Sequence, residues 1–230
     1  MNKLERYIKT TADGSHTLFV PEIGECYHST HGALQESQLV FITYGLQQAC
    51  KLFPHIHVLE IGFGTGLNAL LSLLEAEKRA MRVNYFCVEP YPVSNADIEL
   101  LNYNDMVEHE YKDYFRSLHQ AEWNKCVPIT PWFSLHKAHA TFQDVQLPVS
   151  FFNLVYMDAF SPEAQPEMWQ QDVFDKISKS CVPQAVLTTY CCKGIVKQAL
   201  RNAGFVVKKL PGPPGKREVL QAIVKVEKGA

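Results

Sequence analysis

Three stretches of this chain carry residues whose types and spacing could do chemistry. The first is Glu60-Ile61-Gly62-Phe63-Gly64-Thr65-Gly66-Leu67-Asn68, where glycines recur at alternate positions directly after an apolar run. Glycine adopts positive φ without strain and lets a ligand approach the backbone closely. A helix starting at Leu67 would offer unpaired N–H groups and the positive end of its dipole to an anionic group. A dinucleotide turn of the G-x-G-x-x-G kind would put its third glycine at position 67, where this chain has Leu67. The spacing is instead G-x-G-x-G, which marks Gly62, Gly64, Gly66 and Asn68 as candidate ligand-binding residues. A plain tight strand-to-helix junction is the other use of such a turn.

The second stretch is Glu89, which follows the apolar run 81–88. A carboxylate only accepts hydrogen bonds, so one placed there can take both hydroxyls of a sugar. A solvated loop acid before Pro90 is the competing reading. The third stretch is Tyr156-Met157-Asp158-Ala159-Phe160-Ser161-Pro162, at the end of the near-continuous apolar run 151–157. An acid so placed can orient an amine and take up its proton, or can cap the following loop. Phe160, Trp169 and Tyr190 could stack on a base, although aromatics near strand ends also fill cores.

These residues need a scaffold that brings strand ends together. The runs at 55–61, 81–88, 129–135, 151–157 and 184–190 read as strands, and helical patterns at 67–78, 166–177 and 193–203 follow three of them. Region 96–120 is polar and aromatic, and long enough to break into two helices. In open α/β sheets ligands bind outside the carboxyl ends of the strands, where all three stretches fall. The segments 205–210 and 219–226 are joined by too few residues for a helical crossover, so they are expected to pair as an antiparallel hairpin. The fold class is therefore α/β, a Rossmann-like, mostly parallel sheet ending in an antiparallel hairpin. Residues 1–50 read as a small N-terminal β/helical extension, with a helix over 33–50, and 51–230 as the main domain.

Composition narrows the function classes. The chain has 230 residues, 47% of them apolar and 20% charged, as in an ordinary globular domain. No apolar run reaches the roughly 18 residues that span a bilayer, and no secretory signal is readable, so no membrane partner and a cytoplasmic address are expected. Seven scattered cysteines without C-x-x-C, and nine histidines without H-E-x-x-H, give no indication of a metal site. Net charge is −2, yet Lys176 to Arg217 contains nine lysines and arginines and no acid. Such one-sidedness is the footprint of a phosphate-bearing partner, and solubility alone can also produce it.

The G-x-G-x-G turn resembles the S-adenosylmethionine site of Rossmann-like methyltransferases, and a wider set of motifs narrows the resemblance. The block Glu60 to Asn68, Glu89, Asp158-Ala159-Phe160-Ser161-Pro162, Pro166-Glu167-Met168-Trp169 and Lys216-Arg217-Glu218 occur in this order. Together they resemble the methyltransferase part of the MnmC-type tRNA 5-methylaminomethyl-2-thiouridine biosynthesis enzymes, from about Gly24 to Val224. The resemblance implies S-adenosyl-L-methionine-dependent methylation of the aminomethyl nitrogen on a modified wobble uridine of tRNA. It implies that Glu60, Gly62, Phe63, Gly64, Gly66, Asn68 and Glu89 bind the cofactor and that Asp158 is catalytic. Phe160, Lys216 and Arg217 would meet the RNA, around its anticodon region. Two stretches depart from the family pattern. Leu135-His136-Lys137-Ala138 lacks the acid that often follows the third strand, and Thr189-Tyr190-Cys191-Cys192-Lys193-Gly194 replaces Thr-Ser-Ala-Gly. Many members carry a flavin-dependent oxidase for which 230 residues leave no room, so a separate enzyme is expected to supply the amine. The competing functions are a small-molecule methyltransferase or aminopropyltransferase-like enzyme, and a catalytically silent fold that binds RNA or protein.

Overall fold

The computed structural model describes residues 5–108 and 111–226. The chain opens with strands β1 (Tyr7–Thr10), β2 (His16–Val20) and β3 (Glu25–Cys26), which form a small antiparallel sheet of their own. A continuous helical segment follows: α1 (Ala33–Ser37), a π-helical stretch Gln38–Leu46, and α2 (Gln47–Ala49). The wider π turn brings Val40, Phe41, Ile42, Gly45 and Leu46 onto the buried face.

The main sheet alternates strands with helices: β4 (Ile56–Ile61), α3 (Leu67–Arg79), β5 (Val83–Val88), α4 (Asn95–Glu99), α5 (Lys112–Gln120), β6 (Cys126–Pro128), β7 (Phe133–Ala138) and β8 (Phe152–Met157). A 3-10 turn at Pro166–Trp169 leads into α6 (Gln171–Ser180), then β9 (Cys181–Thr189), α7 (Gly194–Asn202), β10 (Phe205–Pro211) and β11 (Glu218–Val224). The sheet order is β10-β11-β9-β8-β4-β5-β7-β6. Strands β7, β5, β4, β8 and β9 run parallel, and β10 and β11 form the expected antiparallel hairpin against β9.

Parallel strands covered on both faces read as continuous apolar runs, and β8 is buried at every position. Its alternate residues split between two cores. Leu154 and Tyr156 join Val58, the 33–49 helical segment and α3, while Val155 and Met157 join Leu59, α6 and α7. The N-terminal helical segment thus shares one core with the sheet. The chain runs β4 to β5 to β7 outward, then returns to place β8 beside β4. That reversal opens a crevice between the carboxyl ends of β4 and β8.

Boundaries differ from the sequence expectation at the third strand and at the helix after β8, while the break expected within 96–120 is found. The third parallel strand ends at Ala138, three residues beyond the expected Leu135, and the short β6 pairs with it at the sheet edge. The expected 166–177 helix is a 3-10 turn followed by α6. The 96–120 region does break, into α4, a 3-10 turn at Tyr103–Asp105 and α5. Among the described residues no helix is long and apolar enough to cross a membrane.

Candidate active site

The crevice at the strand reversal opens into a cavity of about 770 Å³. Its floor is the turn after β4. Gly62, Gly64 and Gly66 have φ of 89°, 52° and 77°, values that favour glycine. At Gly62 the need is strictest, because a Cβ would lie 2.9 Å from the Asp158 carbonyl oxygen. The two strand ends are stitched together there, with the Asp158 N–H donating to the Ile61 carbonyl at 3.2 Å.

Asn68, on the first turn of α3, links the acids beneath and beside this turn. Its Nδ2 donates to Glu60 Oε1 at 3.0 Å and to Asp158 Oδ2 at 2.8 Å. Glu60 is 1% exposed; burial, and then the charge of Asp158, hold its carboxyl well above the usual range. Asp158 itself is pushed up from 3.8 to about 7, by burial first and the Glu36 carboxylate second, against the Asn68 hydrogen bond and Lys216. A carboxyl that changes state near neutral pH is suited to accept a proton during a reaction.

Glu89 directly follows β5, with both oxygens on backbone donors: Gly64 N–H at 3.0 Å and Tyr91 N–H at 2.8 Å. Each carboxylate oxygen keeps a second lone pair, so two acceptor positions remain for a sugar. Burial pushes the pKa of Glu89 above that of a free glutamate, against the Gly64 and Tyr91 N–H hydrogen bonds.

The small N-terminal sheet roofs the cavity. Both Glu25 carboxylate oxygens bind Ser161, one its N–H at 3.1 Å and the other its hydroxyl. The Tyr27 ring meets Phe160 edge-on at 5.1 Å, and Arg6 donates to Tyr27 Oη at 3.1 Å and to the Tyr91 carbonyl at 2.9 Å. The loop after Asp158 is fixed from the other side. Tyr190 Oη donates to the Ala159 carbonyl and Trp169 Nε1 to the Phe160 carbonyl, each at 2.8 Å. Trp169 and Tyr190 thus brace the loop that carries Asp158, and Tyr190 also lines the cavity.

Of the residues singled out in the sequence, Gly62, Phe63, Gly64, Asn68, Glu89, Asp158, Phe160 and Lys216 line this one cavity. Glu60 and Gly66 stand behind it. Glu60 supports Asn68, and Gly66 turns the chain into α3 against His119 and Phe63. Lys216 and Arg217, both expected to meet RNA, part company in the fold. Lys216 points inward, ion-paired with Glu36, while Arg217 is exposed outside the cavity. The basic window 176–217 is also partly neutralised in space, because Lys193, Lys209 and Lys216 pair with Glu163, Glu218 and Glu36. Lys208 and Lys209 lie exposed on the edge strand β10, where lysine also deters strand-to-strand association.

Sequence reasoning missed Thr141, Phe142 and Gln143, which line the cavity just past β7. Residues 135–138, where the family pattern would have an acid, lie inside the strand. There Lys137 is 1% exposed and caps α5, its Nζ donating to the Leu118 and His119 carbonyls at 2.9 and 2.7 Å. Glu36 was missed as well; no local pattern distinguishes it from a helix-surface acid. Among the described residues no group of three or more metal-binding side chains converges.

The family profile described as S-adenosyl-L-methionine-dependent methyltransferase matches residues 102–225. The tRNA 5-methylaminomethyl-2-thiouridine biosynthesis bifunctional protein MnmC of Polaromonas naphthalenivorans is 30% identical, over 92% of this chain and 34% of that protein. The protein of the same name from Burkholderia multivorans is 28% identical, over 89% of this chain and 33% of its own length. The chain thus spans about a third of the length of these curated relatives. The crystal structure of MNMC2 from Aquifex aeolicus superposes with a TM-score of 0.78 at 23% identity, covering 98% of this chain and 72% of that one. Spermidine synthase from Thermotoga maritima shares the fold more distantly, with a TM-score of 0.53 at 12% identity, covering 97% of this chain and 74% of that one.

Proposed function

The chain belongs to the S-adenosyl-L-methionine-dependent methyltransferase family, and on that premise we propose that it methylates the aminomethyl nitrogen of a modified wobble uridine in tRNA. The product is the 5-methylaminomethyl-uridine, with or without the 2-thio group. One observation carries this reading. The glycine turn and an acid that titrates near 7 meet in one cavity, in a chain whose curated relatives are named for this tRNA modification.

The residues present fit the family's cofactor. Positive-φ glycines leave the floor of the cavity free of side chains, and the start of α3 presents N–H groups suited to a carboxylate. Glu89 retains acceptor positions for two ribose hydroxyls. Phe142 and Gln143 offer an aromatic face and an amide for adenine, which answers the missing acid after the third strand. When bound, S-adenosyl-L-methionine supplies an electrophilic methyl group on a sulfonium.

Asp158 then has two tasks. It accepts a hydrogen bond from the substrate amine, which aims the nitrogen lone pair, and it takes up the proton that an ammonium must lose before it can attack. Asn68 holds Oδ2 of that carboxylate, so the acceptor is fixed before the substrate arrives; such positioning is the main contribution an enzyme makes to an in-line displacement. Arg217, with the exposed cations Arg201 and Lys208 and the half-buried Lys197, would attract the anticodon region of the tRNA. Action on tRNA implies a cytoplasmic setting and an enzymatic activity that generates the aminomethyl group.

The test is methyl transfer from labelled S-adenosyl-L-methionine to tRNA isolated from cells blocked before the final methylation, followed by nucleoside mass analysis. Label in 5-methylaminomethyl-uridine species supports the proposal. Binding of the cofactor without transfer to this RNA overturns it.

A further inference from the structure

Five carboxylates line the cavity: Glu25, Glu36, Glu89, Asp158 and, exposed at its edge, Glu167. Two are already committed to fixed donors, Glu89 to two backbone N–H groups and Glu25 to Ser161. Glu36 differs. One oxygen accepts the Ser29 N–H at 2.8 Å, and the other holds the ammonium of Lys216. That ammonium also lies 4.1 Å from the centroid of the Tyr190 ring. A carboxylate and an aromatic face on one cation are the parts of an ammonium-binding site, and here they stand in the same cavity as Asp158.

Resting on the methyl-transfer reading above, we propose that Glu36 and the face of Tyr190, together with Asp158, form the seat of the substrate's ammonium group, and that Lys216 fills this seat until substrate displaces it. The substrate class is thereby restricted to RNA carrying a primary or secondary amine. A hydroxymethyl or carboxymethyl analogue of the same uridine would leave Glu36 uncompensated or repelled.

The construction of the site supports this assignment. Glu36 is 5% exposed, so removing its partner without a substitute would leave a buried charge, which is costly. Lys216 sits beyond the end of β10 on a loop fixed by Gly212 N–H to the Arg217 carbonyl at 3.1 Å and Lys216 N–H to the Pro213 carbonyl at 2.9 Å. Gly215 has φ of 83°, and a Cβ there would meet His31 at 2.4 Å. Glycine therefore lets this loop lie against the N-terminal segment and deliver Lys216 to Glu36. Lys216 retains 29% exposure, so its four-carbon stem has a way out to solvent when the seat is taken.

The experiment uses the full chain saturated with S-adenosylhomocysteine and two nucleoside probes, 5-aminomethyluridine and 5-hydroxymethyluridine, compared by calorimetric titration. The wild-type protein is expected to prefer the amine by about tenfold or more. Glu36→Gln, which can still accept the Ser29 N–H, should bring that ratio close to one, and Lys216→Met should raise affinity for the amine severalfold by vacating the seat. A thermal melt of each variant checks folding. Independently, acylation of Lys216, followed by mass spectrometry in the wild-type protein, should speed up when 5-aminomethyluridine is added and stay unchanged with the hydroxymethyl probe. No amine preference in the wild-type protein, an unchanged ratio in a folded Glu36→Gln variant, or Lys216 labelling indifferent to the amine would each overturn the proposal. Loss of the seat with methylation of tRNA intact would leave the enzyme reading standing. An amine preference without any methylation of tRNA would remove the tRNA reading alone.

Discussion

Replacing Asp158 with asparagine should make the protein more stable, and by an amount that depends on pH. The carboxyl is raised from 3.8 to about 7, chiefly by burial. Between those two pH values the folded protein keeps a proton that the unfolded chain has released. Stability therefore falls as pH rises from about 3.8 to about 7, and levels off above. At about 1.36 kcal/mol per pH unit of displacement, the penalty is about 1.5 kcal/mol at pH 5 and about 4 kcal/mol at pH 8. Asparagine carries no such charge, and whatever it loses in hydrogen bonding to Asn68 is the same at both pH values. The stability gain of Asp158→Asn over wild type should consequently be larger at pH 8 than at pH 5, by at most about 2.5 kcal/mol. Water entering the cavity mouth screens the charge, so a difference down to about 1 kcal/mol still agrees with the reasoning. Urea unfolding of both proteins at the two pH values measures this directly, because every titration unrelated to Asp158 cancels. An equal gain at both pH values would refute the claim that this site stores a buried, displaced carboxylate, and with it the argument for Asp158 as proton acceptor.

Methyl transfer should show an acid limb centred at about 7, because Asp158 must be ionised to take the proton. Glu36→Gln should move the limb to lower pH, since the Glu36 charge helps raise it and only Lys216 and Asn68 oppose, and a limb that stays put would detach Glu36 from this titration. Gly62→Ala should lower cofactor affinity at least about tenfold, because the new Cβ would strike the Asp158 carbonyl 2.9 Å away and push the two strand ends apart; calorimetry showing affinity within about threefold of wild type would contradict the assigned cofactor floor. Arg217→Ala should weaken tRNA binding and reduce the slope of log affinity against log salt by about one, whereas an unchanged slope would place the RNA elsewhere.

How much of this site could be read from the chain follows from the distance over which each feature is encoded. The glycine turn and Asp158 were legible because each closes an apolar run, and runs buried on both faces of a parallel sheet are conspicuous. Their meeting was legible too, since ligands in such sheets gather where the strand order reverses. The third strand hid its end because Lys137 is turned inward to cap α5; a lysine at a buried strand position reads as loop, and so Thr141 to Gln143 escaped notice. The roof was legible only as a small antiparallel sheet, because nothing local says that Glu25 reaches Ser161 across 136 positions. The same holds most strongly for Glu36 and Lys216, which are 180 positions apart. In the sequence Lys216 belongs to a basic stretch beside Arg217 and suggests a phosphate contact. In the fold it is a half-buried cation on a carboxylate and a tyrosine ring, and only Arg217 remains facing outward. Charge along the chain thus marks a basic stretch, while the pairing of charges in space separates Lys216, held by Glu36 in the cavity, from Arg217, exposed outside it.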